Sequence, residues 1–149
     1  IQCDGVQMVE GDRPSVYQPE DSIWEITSGL YRPIKHTPRQ VLWTGALFPL
    51  STHTIRPSKT IYECITGWVL EWSRYVPGQG EFDLQFSYTH IPKISVQRNH
   101  GVSRSFIIPR DFTQIYWKYL FVYHDRIVGH DNNNNVNGDG VVLRAVYEY

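Results

Sequence analysis

Aromatic rings beside planar hydrogen-bond donors and acceptors can hold a ligand whose apolar faces are ringed by hydroxyls. This 149-residue sequence has five Trp, ten Tyr and six Phe, and one very polar stretch, His130-Asp131-Asn132-Asn133-Asn134-Asn135-Val136-Asn137-Gly138-Asp139-Gly140. Trp24, Tyr31, Tyr75 and Tyr123 fall near loops or strand ends, where binding and core packing are equally open, since loops on a rigid scaffold carry function. Asp125, His130, Asp131, Asn133 and Asn135 complete the candidate ligand-facing set. Carboxamides both donate and accept, which suits the Asn-rich stretch to face a glycan, and no Asn-X-Ser/Thr acceptor interrupts it. Trp68, Trp72 and Trp117 are expected in the core instead, because each falls on the inward side of an alternating strand and such rings bury about 150–250 Å².

Other chemistries find less support. A calcium loop in the Asn-rich stretch fails on register: starting at Asp131 puts Val136 where glycine is required, and starting at Asn133 puts Arg144 where the closing glutamate belongs. A solvated loop is the favoured reading there. The histidines at 36, 53, 90, 100, 124 and 130 never fall at zinc-ligand spacing. Ser51 and His53 lack a Gly-x-Ser-x-Gly elbow, and Cys64 has no nucleophile context. Glu71, Glu81 and Asp83 leave a glycan hydrolase as the enzyme alternative, since a carboxylate pair about 5–9 Å apart would serve one. The expectation is a binding protein with no catalytic residues, metal or cofactor.

Fourteen basic residues against fifteen acidic ones give no global attraction for phosphate, which argues against a nucleic-acid partner. No apolar run approaches the roughly 20 residues needed to cross a bilayer, and no charged segment followed by an apolar one opens the chain. A soluble protein without membrane insertion is expected. The chain starts at Ile1-Gln2-Cys3 and reads as a piece cut from a longer polypeptide. Cys3 and Cys64 either pair or stay reduced, with two thiols favoured at this size.

Those side chains must be positioned by strands. Aromatics favour pleated, half-buried surfaces, and apolar alternation of period two recurs from residue 41 onward while no helical stripe persists. Residues 1–40, with prolines at 14, 19, 33 and 38, read as an irregular segment packed on the same domain, its best strand being Ser22-Ile23-Trp24-Glu25-Ile26-Thr27. Residues 41–149 read as the main domain. Val41 to Phe48 is predicted as a largely buried strand with a bulge or crowding point at Gly45, followed by a short strand near His53-Thr54-Ile55. In 67–75, Trp68, Leu70 and Trp72 share one face and Val69, Glu71 and Ser73 the other. A turn at Pro77-Gly78-Gln79-Gly80 leads into 82–88, with Phe82, Leu84, Phe86 and Tyr88 inward, and Ile91-Pro92-Lys93 should break the ladder. Segments 117–123 and 126–130 form a hairpin through His124-Asp125, and 140–149 closes the chain as a strand. The fold class is all-β, a jelly-roll-like β-sandwich of about eight to ten short antiparallel strands.

The pieces Val41-Leu42-Trp43-Thr44-Gly45, Gly67-Trp68-Val69-Leu70-Glu71-Trp72-Ser73-Arg74-Tyr75, Ile91-Pro92-Lys93, Lys118-Tyr119-Leu120-Phe121-Val122, Ile127-Val128-Gly129-His130-Asp131-Asn132 and Val142-Leu143-Arg144-Ala145-Val146 occur in that order. Together with the Asn-rich insertion before the last strand, they resemble the C-terminal head domain of tail-tip proteins, fibre or baseplate, of phages that infect Gram-positive bacteria such as streptococci and lactococci. The resemblance covers 41–149. It implies a receptor-binding β-sandwich head, borne as a homotrimer among other tail and baseplate proteins, that attaches the virion to a host cell-surface glycan after assembly in the host cytoplasm. The shared pieces are mainly structural, so they transfer a fold better than a site. A trimerisation or baseplate module without a ligand of its own is the other binding-class reading.

Overall fold

The computed structural model describes residues 23–27, 30–34 and 40–149, and the chain divides into two units, Ile1–Pro38 and Arg39–Tyr149. In the first, β1 (Ile23–Thr27) pairs antiparallel with β2 (Leu30–Ile34), so β1 falls on the strand expected there. Cys3 and the side chains of Trp24 and Tyr31 lie outside the described residues.

The second unit is an all-β sandwich of two antiparallel sheets. One sheet is built on β5 (Gly67–Val76) and β11 (Val141–Glu148), with β3 (Val41–Leu47) outside β11. On its other side β5 pairs first with β7 (Ser87–Pro92) and then, near its end, with the short β6 (Gly80–Glu81). The other sheet runs β4 (Thr54–Ile55), β10 (Ile127–Val128), β9 (Ile115–Val122), β8 (Ser103–Pro109). Between β7 and β8 sits the helix α1 (Lys93–Arg98), whose Val96 is buried.

Alternation explains the core. From the first sheet Trp68, Leu70, Trp72, Leu143 and Val146 point inward, and they meet Ile108, Leu120, Val122 and Ile127 from the second in one buried cluster. The Trp72 indole donates to Thr89 Oγ1 at 2.9 Å, so its polar atom is satisfied inside. The His124-Asp125 link joins β9 and β10 as an antiparallel hairpin, and the closing strand lies in the centre of its sheet. At Gly67, φ is +155° and a Cβ would stand 2.0 Å from the Ile91 carbonyl oxygen, so only glycine permits this crossing.

Four expectations need correction. The strand at 41–47 is not largely buried: β3 pairs only with β11, and Leu42 alone of its residues is buried. Its register does shift where Gly45 lies, and a Cβ there would meet the Trp43 ring at 2.8 Å, as crowding at that point predicts. Segment 82–88 is not a continuous inward-alternating strand. Gln85 adopts φ of 57°, which breaks the pleat, and Leu84, Phe86 and Tyr88 are exposed. The ladder does stop at Pro92, as expected, but the chain then turns into a helix, Lys93 to Arg98, where no helical stripe was read. On β5, Val69 and Ser73 are buried although they occupy the outer face. Tyr88 and Tyr147 flank Val69, while Arg144 covers Ser73, donating to its Oγ at 3.1 Å and pairing with Asp83 at 2.7 Å.

Candidate functional site

Strand β9 has one edge occupied by β8 from Ile115 to Phe121, but β10 covers only its last two residues on the other edge. The Asn-rich loop takes the place of the missing neighbour. The Trp117 amide donates to the Asn137 carbonyl at 2.7 Å. Asn133 accepts from the Tyr119 amide at 2.7 Å and returns a bond to the Tyr119 carbonyl at 2.9 Å, so one carboxamide does the work of a paired peptide unit. A third bond, from Asn133 Nδ2 to the Pro49 carbonyl at 2.7 Å, holds the loop to the 49–53 segment. Ser51 adds its backbone amide and hydroxyl to Asp131, and these bonds hold the Asp131 carboxyl below the usual range. Within the loop a 3₁₀ turn, Asp131–Asn134, is capped by His130, whose Nδ1 accepts from the Asn132 amide at 3.1 Å.

Because the loop lies along β9, it walls the strand's outer face. That face presents Ile115, Trp117, Tyr119 and Phe121, while Lys118, Leu120 and Val122 go inward. Trp117 and Tyr119 form the floor, and Asn135 and Asn137 one wall, of an open cleft of about 260 Å³. His130 continues the aromatic strip: it stacks on Phe121 at 5.6 Å and lies 5.7 Å from the Tyr119 ring. A ring floor beside amide edges is what a pyranose needs, with C–H groups to the indole and hydroxyls to the carboxamides, although the Asn135 Oδ1 already accepts from the Asn137 backbone amide at 3.0 Å. A comparison with protein-family models and a search of curated proteins both find no match to this chain.

The candidate residues divide on inspection. Asn135 lines the cleft, and His130 lies beside it against the Tyr119 and Phe121 rings. Asn133 is removed from the ligand-facing set, because it is fully buried and both its donors and its Oδ1 are engaged by Pro49 and Tyr119. Asp131 sits in the same loop but is engaged by Ser51. Tyr75 packs on Phe48 at 5.2 Å, at the end of β5. Tyr123 and Asp125 belong to the β9–β10 turn, where Arg126 lies 4.1 Å over the Tyr123 ring and Asp125 bridges Arg126 and Arg56 at 2.9 and 3.1 Å. Among the described residues no group of three His, Cys, Asp or Glu is placed to hold a metal, and no helix is long and apolar enough to cross a membrane.

Trp117 corrects an expectation: it is 36% exposed rather than in the core, and Tyr119 and Asn137 join it in the site although the sequence singled out neither. The misleading residue is Lys118. Two faces of β9 are apolar enough to be inner, and placing a lysine outward assigns the tryptophan inward. In the fold the lysine is inside, its Nζ 3.8 Å above the Phe48 ring with no hydrogen-bond acceptor among the described residues. Burial drives its pKa down to about 7, opposed by the Asp139 charge.

Proposed function

We propose that this chain is the host-adhesion head of a phage tail-tip protein, and that it captures a cell-wall saccharide in the cleft floored by Trp117 and Tyr119. The reading rests on one observation: an exposed indole on a rigid strand, walled by the carboxamides of Asn135 and Asn137. The ordered resemblance across 41–149 supports it independently. A shallow cleft binds weakly alone, and a homotrimer on the virion, held by its tail and baseplate partners, would gain a factor of roughly 10² to 10⁴ in avidity.

The test is sedimentation with purified streptococcal or lactococcal cell walls. Trp117→Ala is expected to lower retention of the assembled head at least tenfold, with Asn137→Ala intermediate and the melting temperature nearly unchanged. Equal retention of both variants would refute the assignment, and released reducing ends would move the reading to a glycan hydrolase. A second reading, a trimerisation or baseplate module without a ligand, draws on Ile107 and Ile115, which flank Trp117 and are 52% and 55% exposed. In that case Trp117→Ala loses assembly while adsorption per assembled particle is kept.

A further inference from the structure

The outer face of the five-stranded sheet, on the opposite side of the sandwich from Trp117, carries an arrangement that the saccharide reading leaves unused. Glu71 of β5 stands directly across from Tyr88 of β7 and diagonally from Tyr147 of β11. Both phenols donate to the same carboxylate oxygen, Oε2, at 2.9 and 3.0 Å. With Val69 these three side chains line an open hollow of about 320 Å³.

Charge is left over in this hollow. Among the described residues no lysine or arginine pairs with Glu71, and its Oε1 takes no hydrogen bond. The phenols stay protonated: burial and the bond to Glu71 push Tyr147 up to about 12, and the bond to Glu71 raises Tyr88. A carboxylate with one open oxygen, two phenol rings as walls and a valine floor is suited to a cation with an apolar skin. The charge meets the carboxylate and the C–H groups meet the ring faces, as in aromatic cages for alkylammonium ions. A small hydrated metal ion would want more oxygen ligands than this hollow offers.

We propose that Glu71, Tyr88 and Tyr147 form a second binding site, for an organic ammonium group. It is independent of the Trp117 cleft, so either can fail without the other. The probe is tetramethylammonium chloride, titrated into the ¹⁵N-labelled chain at constant ionic strength, with tert-butanol as a neutral control of similar shape. Saturable shifts of the amides of Val69, Glu71, Tyr88 and Tyr147 are expected, with little response to tert-butanol. Glu71→Gln should weaken the response at least tenfold, Tyr88→Ala should weaken it severalfold, and Trp117→Ala should leave it unchanged. Tyr88 is 56% exposed, so its replacement tests the site without threatening the fold. The proposal is overturned by shifts that never saturate, by an equal response to tert-butanol, or by a Glu71→Gln variant that saturates at the same concentration.

Discussion

Lys118→Met is expected to stabilise the protein by roughly 2–3 kcal/mol at pH 6, an unusual sign for a core substitution. The ammonium is fully buried and bonded to no acceptor among the described residues, and its pKa falls from 10.5 to about 7. That depression corresponds to a cost of roughly 4–5 kcal/mol for the charged form. Imperfect fit of the methionine side chain in the lysine's place takes back roughly 1–2 kcal/mol of it. Methionine keeps the length and removes the charge.

The pH dependence follows with a definite sign. The folded pKa lies below the unfolded one, so between pH 7 and 10.5 the unfolded chain binds more protons and the native state gains stability as pH rises. Below pH 7 both states carry the proton and the full cost persists. Urea melts at pH 6, 8 and 9 should show the advantage of the Met variant shrinking steadily. A constant difference, or a less stable variant, would mean that Lys118 has a partner in solution.

Asn133→Leu should be the most damaging single change in the Asn-rich loop. Leucine fits the volume but leaves the Tyr119 amide and carbonyl without partners, while the Pro49 carbonyl keeps only its bond from the His130 amide at 3.1 Å. At about 1–3 kcal/mol for each of these two unsatisfied groups, and with some relaxation, a loss of roughly 2–4 kcal/mol is expected. Hydrogen exchange reports it locally: Tyr119 and Trp117 should lose protection while Trp68 and Leu143 keep theirs. Because Asn135 and Asn137 depend on that anchor, wall binding should fall too. A change below about 0.5 kcal/mol, typical of a solvated surface residue, would contradict the anchor.

What the sequence revealed depended on how many faces of each strand are dry. Strand β5 was legible from Trp68, Leu70 and Trp72, and β11 from its apolar run, because both lie in the middle of a sheet. The β9–β10 hairpin was legible because only four residues, 123–126, separate its arms. Edges were harder. Val41–Leu47 looks interior by composition, yet as an outer strand it keeps only Leu42 covered. Strand β8, Ser103–Pro109, mixes serines and an arginine with Phe106 and Ile108 and was passed over.

The site was half legible for a related reason. Composition located the polar loop and picked out His130 and Asn135. It also drew in Asn133, since nothing local distinguishes an asparagine that faces solvent from one that replaces a strand. Only long-range pairing, Asn133 with Pro49 and Tyr119, separates them. The same pairing decides which face of β9 is wet.

The most direct test of the central claim is an NMR titration of the ¹⁵N-labelled chain with saccharide fragments of streptococcal and lactococcal cell walls. The account predicts saturable shifts at the Trp117 indole, the Tyr119 amide and the carboxamides of Asn135 and Asn137, with the Asn133 carboxamide still. Shifts centred instead on Tyr75, or on Tyr123 and Asp125, or no response from any of these residues, would contradict it.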